Sequence, residues 1–364
     1  MRLYIIAGEA SGDLHGSNLL KALYARQSDL ECRVWGGDLM QHTGATLVKH
    51  YRDLAFMGFV EVVKNLRTIL RNIAFCKQDI LDFEPDALVL IDYPGFNLRI
   101  AEWAKAQGIR VIYYISPQLW AWHASRAKAI KRDVDKLLVI LPFEKAFFQG
   151  YGIDAEFVGH PLLDAIKDLP TPAFGSDNRP TIALLPGSRK QEVSRILPVM
   201  LETTRAFPGY RFVVAGASSL PKGYYHEYLK DFPSVALEKG NTYGILQGAV
   251  AALVKSGTST LETALLNVPQ VVCYAGNPIS YQIAKRLVKV KYISLVNLIV
   301  DRPLVKELIQ HDLTPENATA ALKDILEPER MAEIKTGYAE LRHRLGDGGA
   351  SERAAMAILT MVRS

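Results

Sequence analysis

Two short turns rich in small residues could hold a phosphorylated ligand. The first, Pro186-Gly187-Ser188-Arg189, follows an apolar run and precedes a helix that we expect to begin near Lys190, with Ser188 as its cap. Backbone N–H groups and the helix dipole bind anions at such a terminus, and a guanidinium reaches two phosphate oxygens at once. An ordinary turn with a solvated arginine is the alternative. We interpret the turn as a diphosphate cradle made by Gly187, Ser188, Arg189 and Glu192.

The second turn, Lys255-Ser256-Gly257-Thr258, follows the apolar run Ala251-Ala252-Leu253-Val254 in the same way. Its N–H groups and hydroxyls, from Ser256, Gly257 and Thr258, are suited to a further phosphate. Glu262 lies one helical turn further on, within reach of a ribose diol. Two such turns in one half of the chain predict a nucleotide-diphosphate site there.

Three carboxylates near strand ends could take a proton or bind sugar hydroxyls. Glu9 and Asp13 lie in the loop after a first apolar strand, beside His15, and Asp92 directly follows the strand Ala87-Leu88-Val89-Leu90-Ile91. The carboxyl ends of parallel strands face the ligand crevice of an α/β sheet, where a carboxylate can act as a general base. Asp92 is our leading candidate for that base, and Glu9 and Asp13 are the others. Asp13 could instead only cap the helix that follows it.

Two further features could contact a sugar. Asn297 is a lone polar residue in apolar surroundings, so it is either a ligand contact or a satisfied buried amide. Trp120 and Trp122 are suited to the apolar face of a sugar, although one of them is expected in the core. Asp133-Val134-Asp135 has the form of a metal site, but it precedes its strand and lies among basic residues, so we expect no metal there.

The elements that would position these residues alternate between strand and helix in both halves of the chain. Such alternation predicts parallel sheets, and hence an α/β fold with two Rossmann-like domains. A proline-rich stretch from Leu169 to Arg179 is typical of a linker, so we expect a first domain of residues 1–168 and a second of residues 169–346. Residues 347–364 form a last helix that we expect to pack back on the first domain.

Composition favours a soluble protein of the cytoplasm. The chain has 364 residues and is 49% hydrophobic. No run approaches the roughly 18 apolar residues of a membrane span, and polar residues begin too early for a signal peptide. The three cysteines have no spacing typical of disulfides or zinc. Residues 1–165 carry 19 basic and 19 acidic side chains, so the net charge of +5 lies wholly in the remainder. That excess is too mild for nucleic-acid binding, but it suits a phosphorylated ligand or an anionic membrane.

One stretch, residues 56–75, combines an apolar stripe with a basic one. The apolar positions at helical spacing are Phe59, Val62, Val63, Leu66, Ile69, Leu70 and Ile73, and the basic ones are Lys64, Arg67 and Arg71. Such a helix could lie on an anionic membrane or receive acyl chains. A core helix with a solvated basic face is the alternative. A second basic and apolar cluster, residues 283–293, allows a membrane contact or a solvated helix in the same way.

Taken together, the ordered motifs are very specific. The chain resembles the lipid-A-disaccharide synthases along nearly its whole length. The matching stretches are Gly8-Glu9-Ala10-Ser11-Gly12-Asp13, Met57-Gly58-Phe59-Val60-Glu61-Val62, Ile91-Asp92-Tyr93-Pro94-Gly95-Phe96-Asn97, Ser116-Pro117-Gln118-Leu119-Trp120-Ala121-Trp122, Leu141-Pro142-Phe143-Glu144, Gly159-His160-Pro161, Leu184-Leu185-Pro186-Gly187-Ser188-Arg189 and Ser256-Gly257-Thr258.

The resemblance implies an inverting, metal-independent glycosyltransferase of GT-B architecture, with two parallel sheets facing a central cleft. The family transfers 2,3-diacylglucosamine from UDP-2,3-diacylglucosamine to 2,3-diacylglucosamine 1-phosphate (lipid X), and it uses no cofactor. Ser188 and Arg189 would then hold the diphosphate, Glu262 the ribose and Asn297 the nucleotide sugar, with Asp92 near the acceptor. The acylated substrates further imply a peripheral enzyme on the inner face of the inner membrane. Exchange of the C-terminal helix would make a homodimer.

One departure from the family pattern affects the choice of base. Some members carry a second acid where this chain has Gly95, in the stretch Ile-Asp-x-Pro-Asp-Phe-Asn. If that acid is their base, Asp92, Glu9 or Asp13 must serve here. Two alternatives to the synthase stay open. One is a UDP-N-acetylglucosamine 2-epimerase of the same architecture, which would not depend on a lipid acceptor, and the other is a non-catalytic nucleotide-sugar-binding protein.

Overall fold

The computed structural model describes residues 1–54, 66–122, 126–167, 169, 179–277, 281 and 291–363. The chain divides into two compact units. Unit 1 is formed by Met1–Lys167 together with Leu345–Ser364, and unit 2 by Asp168–Arg344. Each unit contains a parallel sheet whose strands alternate with helices along the chain. This is the α/β class that the sequence predicts.

Unit 1 is built on a seven-stranded parallel sheet in the order β3-β2-β1-β4-β5-β6-β7. The strands are β1 (Arg2–Ala7), β2 (Glu31–Gly36), β3 (Thr46–His50), β4 (Ala87–Ile91), β5 (Arg110–Tyr114), β6 (Lys136–Val139) and β7 (Ala155–Phe157). All five residues of β4 are buried. A continuous apolar run of this kind is suited to a strand that is covered on both faces.

The helices described in unit 1 connect these strands. They are α1 (Ala10–Arg26), α2 (Asp38–Gln41), α3 (Leu66–Phe83), α4 (Pro94–Ala106), α5 (Leu119–Trp122), α6 (Ala127–Asp133), α7 (Glu144–Gln149) and α8 (Leu162–Ala165). Polar contacts fix α3 on the sheet, because its Asp79 accepts the Tyr4 hydroxyl at 2.6 Å and pairs with Arg33 at 2.7 Å. One face of α3 therefore packs against the core of unit 1.

The stretch expected to be amphipathic is only partly described. Residues 55–65, which include Lys64, lie outside the described part, as do residues 283–290 of the second basic cluster. On α3, Ile73 is buried and Ile69 packs against the core, as the core-helix interpretation predicts. Leu70 is 54% exposed, and Arg67 and Arg71 are exposed with it. The apolar stripe is thus divided between core and surface.

Unit 2 is built on a six-stranded parallel sheet in the order β10-β9-β8-β11-β12-β13. The strands are β8 (Thr181–Leu185), β9 (Arg211–Gly216), β10 (Val235–Lys239), β11 (Ala249–Lys255), β12 (Gln270–Tyr274) and β13 (Glu307–Ile309). The helices described here are α9 (Lys190–Thr204), α10 (Lys222–Leu229), α11 (Thr242–Gln247), α12 (Thr258–Leu265), α13 (Leu295–Val300), α14 (Pro315–Leu326) and α15 (Pro328–Leu345). Within the described part of the chain, no helix of either unit is long and apolar enough to cross a membrane.

The last helix, α16 (Ala350–Arg363), belongs to unit 1 and packs on α1. The Asp164 carboxylate accepts the backbone N–H groups of Gly349 and Ser351 at its N-terminus, the latter at 2.8 Å. Arg26 pairs with Glu352 at 2.6 Å on the same surface. A carboxylate at a helix N-terminus satisfies donors that the helix leaves unpaired. Residues far apart in the chain thereby close unit 1.

Candidate active site

The strand order of each sheet reverses at one place, and the candidate residues cluster there. In unit 1 the reversal lies between β1 and β4, and in unit 2 between β8 and β11. Loops that leave two such neighbouring strands run to opposite sides and open a crevice at the carboxyl ends, where α/β proteins bind ligands. The carboxylates of unit 1 and the two small-residue turns of unit 2 follow these strands. Each unit therefore carries predicted site residues at its own switch point.

In unit 1 the switch point brings Glu9 and Asp92 together. Ala7 at the end of β1 pairs with Ile91 at the end of β4, so the two loops that follow start side by side. The negative charge of Glu9 repels the ionised form of Asp92 and raises the pKa of its carboxyl. The sequence predicted both residues at this sheet edge, and the parallel register explains why they meet.

The backbone at Asp92 is strained and firmly held. Asp92 and Tyr93 both adopt left-handed conformations, with φ values of 45° and 51°, immediately before Pro94 begins α4. The carbonyl oxygen of Asp92 accepts the Tyr113 hydroxyl at 2.6 Å and the Asn97 side-chain amide at 2.7 Å. Such conformations cost energy in non-glycine residues and persist where neighbours enforce them, often at functional sites. The turn thus fixes the position from which the Asp92 carboxylate projects.

The environment of Asp92 suits a proton acceptor. Burial, and then the neighbouring Glu9 charge, raise the pKa of Asp92 to about 7, with Glu144 adding to the effect and the Tyr93 N–H opposing it. General bases work best when their pKa is close to the operating pH. The Asp92 carboxyl is therefore largely ionised at a pH just above 7. In that form it can accept a proton.

Glu144 organises the aromatic loop of unit 1 and was not singled out as a site residue from the sequence. One of its oxygens accepts the Ser116 hydroxyl at 2.8 Å and the Trp120 indole N–H at 3.2 Å. The other accepts the backbone N–H groups of Ile140 and Leu141. Burial is the largest effect on this carboxyl, and its pKa is raised overall. Its position next to Pro142-Phe143, where β6 ends, was the available signal. Trp120 is held at a fixed place, while the Trp122 side chain lies outside the described residues.

In unit 2 the first turn differs from the free helix terminus expected there. The residue before α9 is Arg189, so Ser188 does not cap the helix as predicted. Glu192 reaches back instead, and one of its oxygens accepts the N–H groups of Ser188 at 3.1 Å and Arg189 at 3.3 Å. An acid three residues after the N-cap is the capping-box position, which the sequence did contain. A carboxylate that takes these donors cannot itself bind a phosphate, so Glu192 supports the turn rather than the ligand.

Two cations surround that carboxylate. The Lys255 ammonium lies 2.9 Å from Glu192 and the Arg189 guanidinium 3.5 Å from it. Partial burial works to raise the pKa of Glu192, but Lys255 and Arg189 outweigh it, and the pKa is lowered overall. The Arg189 side chain remains half exposed, with 54% of its surface accessible. Gly187 allows the turn its close approach, since its φ is +109° and an added Cβ would lie 2.5 Å from the Glu192 carboxylate.

The second turn begins α12 with Gly257, which has no side chain that could cap the helix. Thr258, the first helical residue, is exposed. The Ser256 hydroxyl is not directed to a phosphate as expected, because it donates to the carbonyl oxygen of Ile293 at 3.0 Å. The N–H groups at the start of α12 and the Thr258 hydroxyl are thus the groups of this turn that are suited to an anion.

Glu262 lies on α12 next to this turn, where the sequence predicted a ribose contact. Its carboxylate accepts the hydroxyl of Tyr243, on α11, at 3.0 Å. Burial raises the pKa of Glu262 and outweighs the hydrogen bond from Tyr243. Ser259 also donates to this carboxylate. Two carboxylate oxygens offer about four acceptor sites, so Glu262 keeps one for a sugar hydroxyl. Tyr243 was missed from the sequence, because its place beside Glu262 depends on how α11 connects β10, at the sheet edge, to β11, with β9 and β8 lying between these two strands.

Comparison with known proteins assigns the family. The model of the lipid-A-disaccharide synthetase family matches residues 3–361. The lipid-A-disaccharide synthase of Trichlorobacter lovleyi is 40% identical over 377 aligned positions, which cover 99% of this chain and 97% of the relative. That of Syntrophus aciditrophicus is 41% identical over 372, with the same coverage. The chain belongs to the lipid-A-disaccharide synthetase family.

Solved structures share the fold of this lipid-A-disaccharide synthetase family member at much lower identity. The UDP-GlcNAc 2-epimerase of Neisseria meningitidis, bound to UDP-GlcNAc, has a TM-score of 0.69 and 15% identity, with 100% of both chains covered. The glycotransferase of kitacinnamycin has a TM-score of 0.67 and 15% identity, with 99% of both chains covered. At such identities the likeness shows the fold alone, and it confirms the predicted GT-B class with two Rossmann-like domains.

Two of the predicted site residues, Asn297 and Asp13, have their polar groups satisfied by contacts within the chain. Asn297 is 1% exposed, and its amide donates to Val305 and Glu307 while accepting the Val305 N–H at 2.9 Å. Of the two interpretations offered by the sequence, the satisfied buried amide fits this geometry. Asn297, in the first turn of α13, therefore holds the segment from Val305 to Glu307 against this helix.

Asp13 is the other. It is 3% exposed, and its carboxylate accepts the backbone N–H groups of Gly37, Leu39 and Met40 at 2.8–3.1 Å. The geometry favours the capping interpretation over the catalytic one, although the helix that Asp13 caps is α2 and not its own. The three backbone donors hold this buried carboxylate at the start of α2, so its contacts are those of a structural group. Asp92 and Glu9 remain the candidates for the proton acceptor.

Proposed function

We propose that this protein transfers 2,3-diacylglucosamine from UDP-2,3-diacylglucosamine to the 6-hydroxyl of 2,3-diacylglucosamine 1-phosphate, and releases UDP. The observation that carries the proposal is the family match over residues 3–361, supported by relatives named lipid-A-disaccharide synthase that align with 99% of the chain. The product is the β-1′,6-linked disaccharide 1-phosphate. A fold neighbour bound to UDP-GlcNAc supports a nucleotide sugar as the donor.

In the proposed mechanism the acceptor oxygen attacks C1 of the donor sugar in line with the departing UDP, which inverts that centre. Asp92 takes the proton from the acceptor hydroxyl, because its pKa of about 7 lets it do so near neutrality. Glu9, next to it, raises that pKa and is the second candidate for the base. Glu144 acts indirectly, by holding Trp120 beside this edge of the sheet.

The departing UDP carries the negative charge that the reaction develops. In the proposal the start of α12 and the Arg189 guanidinium stabilise its diphosphate, and Glu262 accepts a ribose hydroxyl. Fixed donors and helix dipoles can supply this stabilisation without a metal ion. We therefore expect the reaction to proceed in the presence of a chelator.

The acylated substrates need a surface near lipid, and α3 offers one. Leu70 and Phe75 are 54% and 48% exposed, and they share the outer side of the helix with Arg67 and Arg71. Helical spacing places these four residues on one face. Exposed apolar side chains among cations are suited to an anionic bilayer. We propose that α3 contacts the inner face of the inner membrane and makes the enzyme peripheral.

A homodimer could form by exchange of α16. In the structure α16 packs on its own unit through the Asp164 and Arg26 contacts, and two copies could make the same contacts reciprocally. Light scattering on the purified chain at several concentrations measures the mass directly. A monomer at all concentrations would exclude exchange.

The test of the reaction is acceptor-dependent release of UDP. Purified protein is given UDP-2,3-diacylglucosamine in detergent with EDTA, with and without 2,3-diacylglucosamine 1-phosphate, and UDP and disaccharide are both quantified. UDP and disaccharide in equal amounts, formed only with acceptor, are expected. UDP formed without acceptor would contradict the transferase and favour an epimerase or hydrolase, and UDP binding without turnover would favour a sensor.

Matched variants test the proposed base in unit 1 and the proposed diphosphate contact in unit 2 separately. Asp92→Asn keeps the shape of the side chain and removes the base, so we expect a loss of kcat of about 100-fold or more, with UDP binding retained. Arg189→Ala removes a diphosphate contact, so UDP affinity should fall as well. Lys128→Ala, an exposed residue on α6, serves as the control for handling and folding.

A further inference from the structure

Lys255 lies where the two turns of unit 2 meet. It is the last residue of β11, and Val254 before it pairs with Leu185 at the end of β8. Its side chain is only 23% exposed, and its ammonium lies 2.9 Å from Glu192. A lysine held this far out of solvent at a switch point is unlike a freely solvated surface lysine, since it gives up hydration and needs a charged partner.

The partner of Lys255 is an anion in the place where a phosphate is expected. The Glu192 carboxylate accepts two backbone N–H groups of the first turn and pairs with two cations, at the distances given above. Phosphate oxygens use the same kinds of donor: backbone N–H groups at a helix start, an ammonium and a guanidinium. The carboxylate and a diphosphate therefore compete for one set of donors.

Lys255 is also close to the second turn. A Cβ added to Gly257 would lie 3.5 Å from the Lys255 ammonium, so the cation lies beside the residue that precedes α12. The turn after β8 and the turn after β11 are thereby joined by a single Lys255–Glu192 ion pair. The Lys255 ammonium therefore lies beside both turns.

We propose that Lys255 is a diphosphate-binding residue, and that Glu192 is the internal anion from which it is exchanged when UDP or the UDP-sugar binds. The proposal rests on the proposed function, and it adds a cation and a competing carboxylate to the nucleotide site. When the bond between C1 and the β-phosphate oxygen breaks, both electrons stay with that oxygen. The ammonium then offsets the charge that builds up on UDP.

The test compares ligands that differ only in phosphate content. Titration calorimetry with UDP, UMP and uridine is run on the full chain and on Lys255→Met, at low and high salt. Loss of one charged contact should weaken UDP roughly tenfold to 100-fold, weaken UMP less and leave uridine unchanged. The salt dependence of UDP binding should also decrease. Lys255→Arg should recover most of the UDP affinity.

Glu192→Gln tests the exchange. It removes the competing charge but keeps a hydrogen-bond acceptor at the turn, so UDP should bind more tightly than to the unaltered chain, roughly threefold to tenfold. Lys255→Met combined with Glu192→Gln removes both partly buried charges and leaves only the half-exposed Arg189 without its partner, so it keeps the test valid if the single variant folds poorly. Lys136→Met, which breaks a similar ion pair to Glu156 in unit 1, is the control and should bind UDP normally.

The outcomes distinguish a diphosphate-binding role of Lys255 from a structural one. Equal losses for UDP, UMP and uridine in Lys255→Met would make Lys255 structural and overturn the proposal, as would unchanged UDP binding. Weaker UDP binding by Glu192→Gln would overturn the exchange. If the unaltered chain does not prefer UDP to uridine, the nucleotide site of the proposed function fails too. If the unaltered chain prefers UDP to uridine and the variants bind UDP as the unaltered chain does, the Lys255 proposal fails and the proposed function stands.

Discussion

The hydroxyl of Tyr243 donates a 3.0 Å hydrogen bond to the carboxylate of Glu262. The bond fixes the orientation of a carboxylate that is only partly in contact with solvent. If Glu262 binds the ribose, its second acceptor must point at a sugar hydroxyl, and Tyr243 determines that direction. The two residues then act as one unit in nucleotide binding.

We expect Tyr243→Phe to weaken UDP binding about threefold to tenfold, because a hydrogen bond to a charged group contributes about 1.5 kcal/mol or less at a partly exposed site. The measurement is the dissociation constant of UDP beside that of 2′,3′-dideoxy-UDP. The dideoxy nucleotide should bind the variant and the unaltered protein equally, since it offers no hydroxyl to Glu262. An equal loss for both nucleotides would show a purely structural tyrosine.

The pH dependence of the reaction should report Asp92. With a pKa of about 7, the carboxyl is protonated below neutrality, so kcat/KM should rise with pH through that value. Asp92→Asn should leave a low rate without this step. A pH profile that keeps its inflection near 7 in the variant would assign the proton transfer elsewhere, with Glu9 examined next.

Asp92 should also make the free energy of unfolding depend on pH. The Asp92 contribution to this free energy should fall as pH rises, whereas kcat/KM should rise. The folded pKa of Asp92 lies above the unfolded value of about 4, so the folded state binds more protons between those two pH values. The Asp92 contribution is therefore favourable below about pH 4 and is lost as pH rises through 7. We expect Asp92→Asn to raise the free energy of unfolding by about 1 kcal/mol at pH 8 and by less at pH 4, in urea titrations.

Asp13 should matter for folding rather than for the chemical step. Asp13→Ala leaves the N–H groups of Gly37, Leu39 and Met40 without their acceptor, and should cost about 2–4 kcal/mol of stability. Urea unfolding measures this loss, and active-site titration with labelled UDP gives kcat per folded molecule. That kcat should stay within about threefold of normal, since Asp13 transfers no proton in the proposed mechanism. A large drop in kcat of fully folded protein would return Asp13 to the list of bases.

Gly95 marks where other members carry a second acid, and the structure has room for one. It is exposed in the first turn of α4, and nothing lies within 4 Å of an added Cβ. Gly95→Asp should fold normally and gain about 0.5 kcal/mol, because glycine is flexible when unfolded and an acid suits a helix start. If an acid here can act as base, Gly95→Asp should restore part of the activity lost in Asp92→Asn. Gly209→Asp, on an open surface of unit 2, is the control.

Membrane contact through α3 should depend on its basic residues. Arg67→Glu with Arg71→Glu should reduce co-sedimentation with vesicles of phosphatidylglycerol by about tenfold or more, since each basic residue near such a surface contributes about 1 kcal/mol. Lys128→Glu with Lys131→Glu makes the same charge change on exposed positions of α6. Equal losses for both pairs would show a general charge effect and not a surface on α3.

Much of the fold was predictable because buried parallel strands have a clear pattern. The run Ala87–Ile91 is apolar throughout, and Thr181–Leu185 is apolar after its first residue. Both are buried along their whole length, and the sequence identified both. The strands β3, β7 and β13 were not predicted. All three lie at sheet edges, where most of their residues are only partly buried and polar and apolar residues are mixed. Local pattern carries little information at such positions.

The site was predicted where strand order alone determines it. Glu9 and Asp92 meet because parallel strands end at one edge, a rule that needs no side-chain detail. The partners of Asn297 could not be predicted in the same way. Whether a buried amide is satisfied depends on how the chain from Val305 to Glu307 folds back, and no local spacing specifies that. The occupation of the first turn by Glu192 was visible as a capping-box spacing, which the anion-binding interpretation left unused.

The Asp164 bond to Ser351 spans 187 positions of sequence and has a consequence for biosynthesis. Translation proceeds from the N-terminus, and domains commonly fold as soon as they emerge. Unit 2 is synthesised whole before the last helix of unit 1 exists, so the surface of α1 that α16 covers stays open throughout that time. The nascent chain therefore exposes part of its first core until α16 has been synthesised. The unit that is begun first is the unit that is completed last.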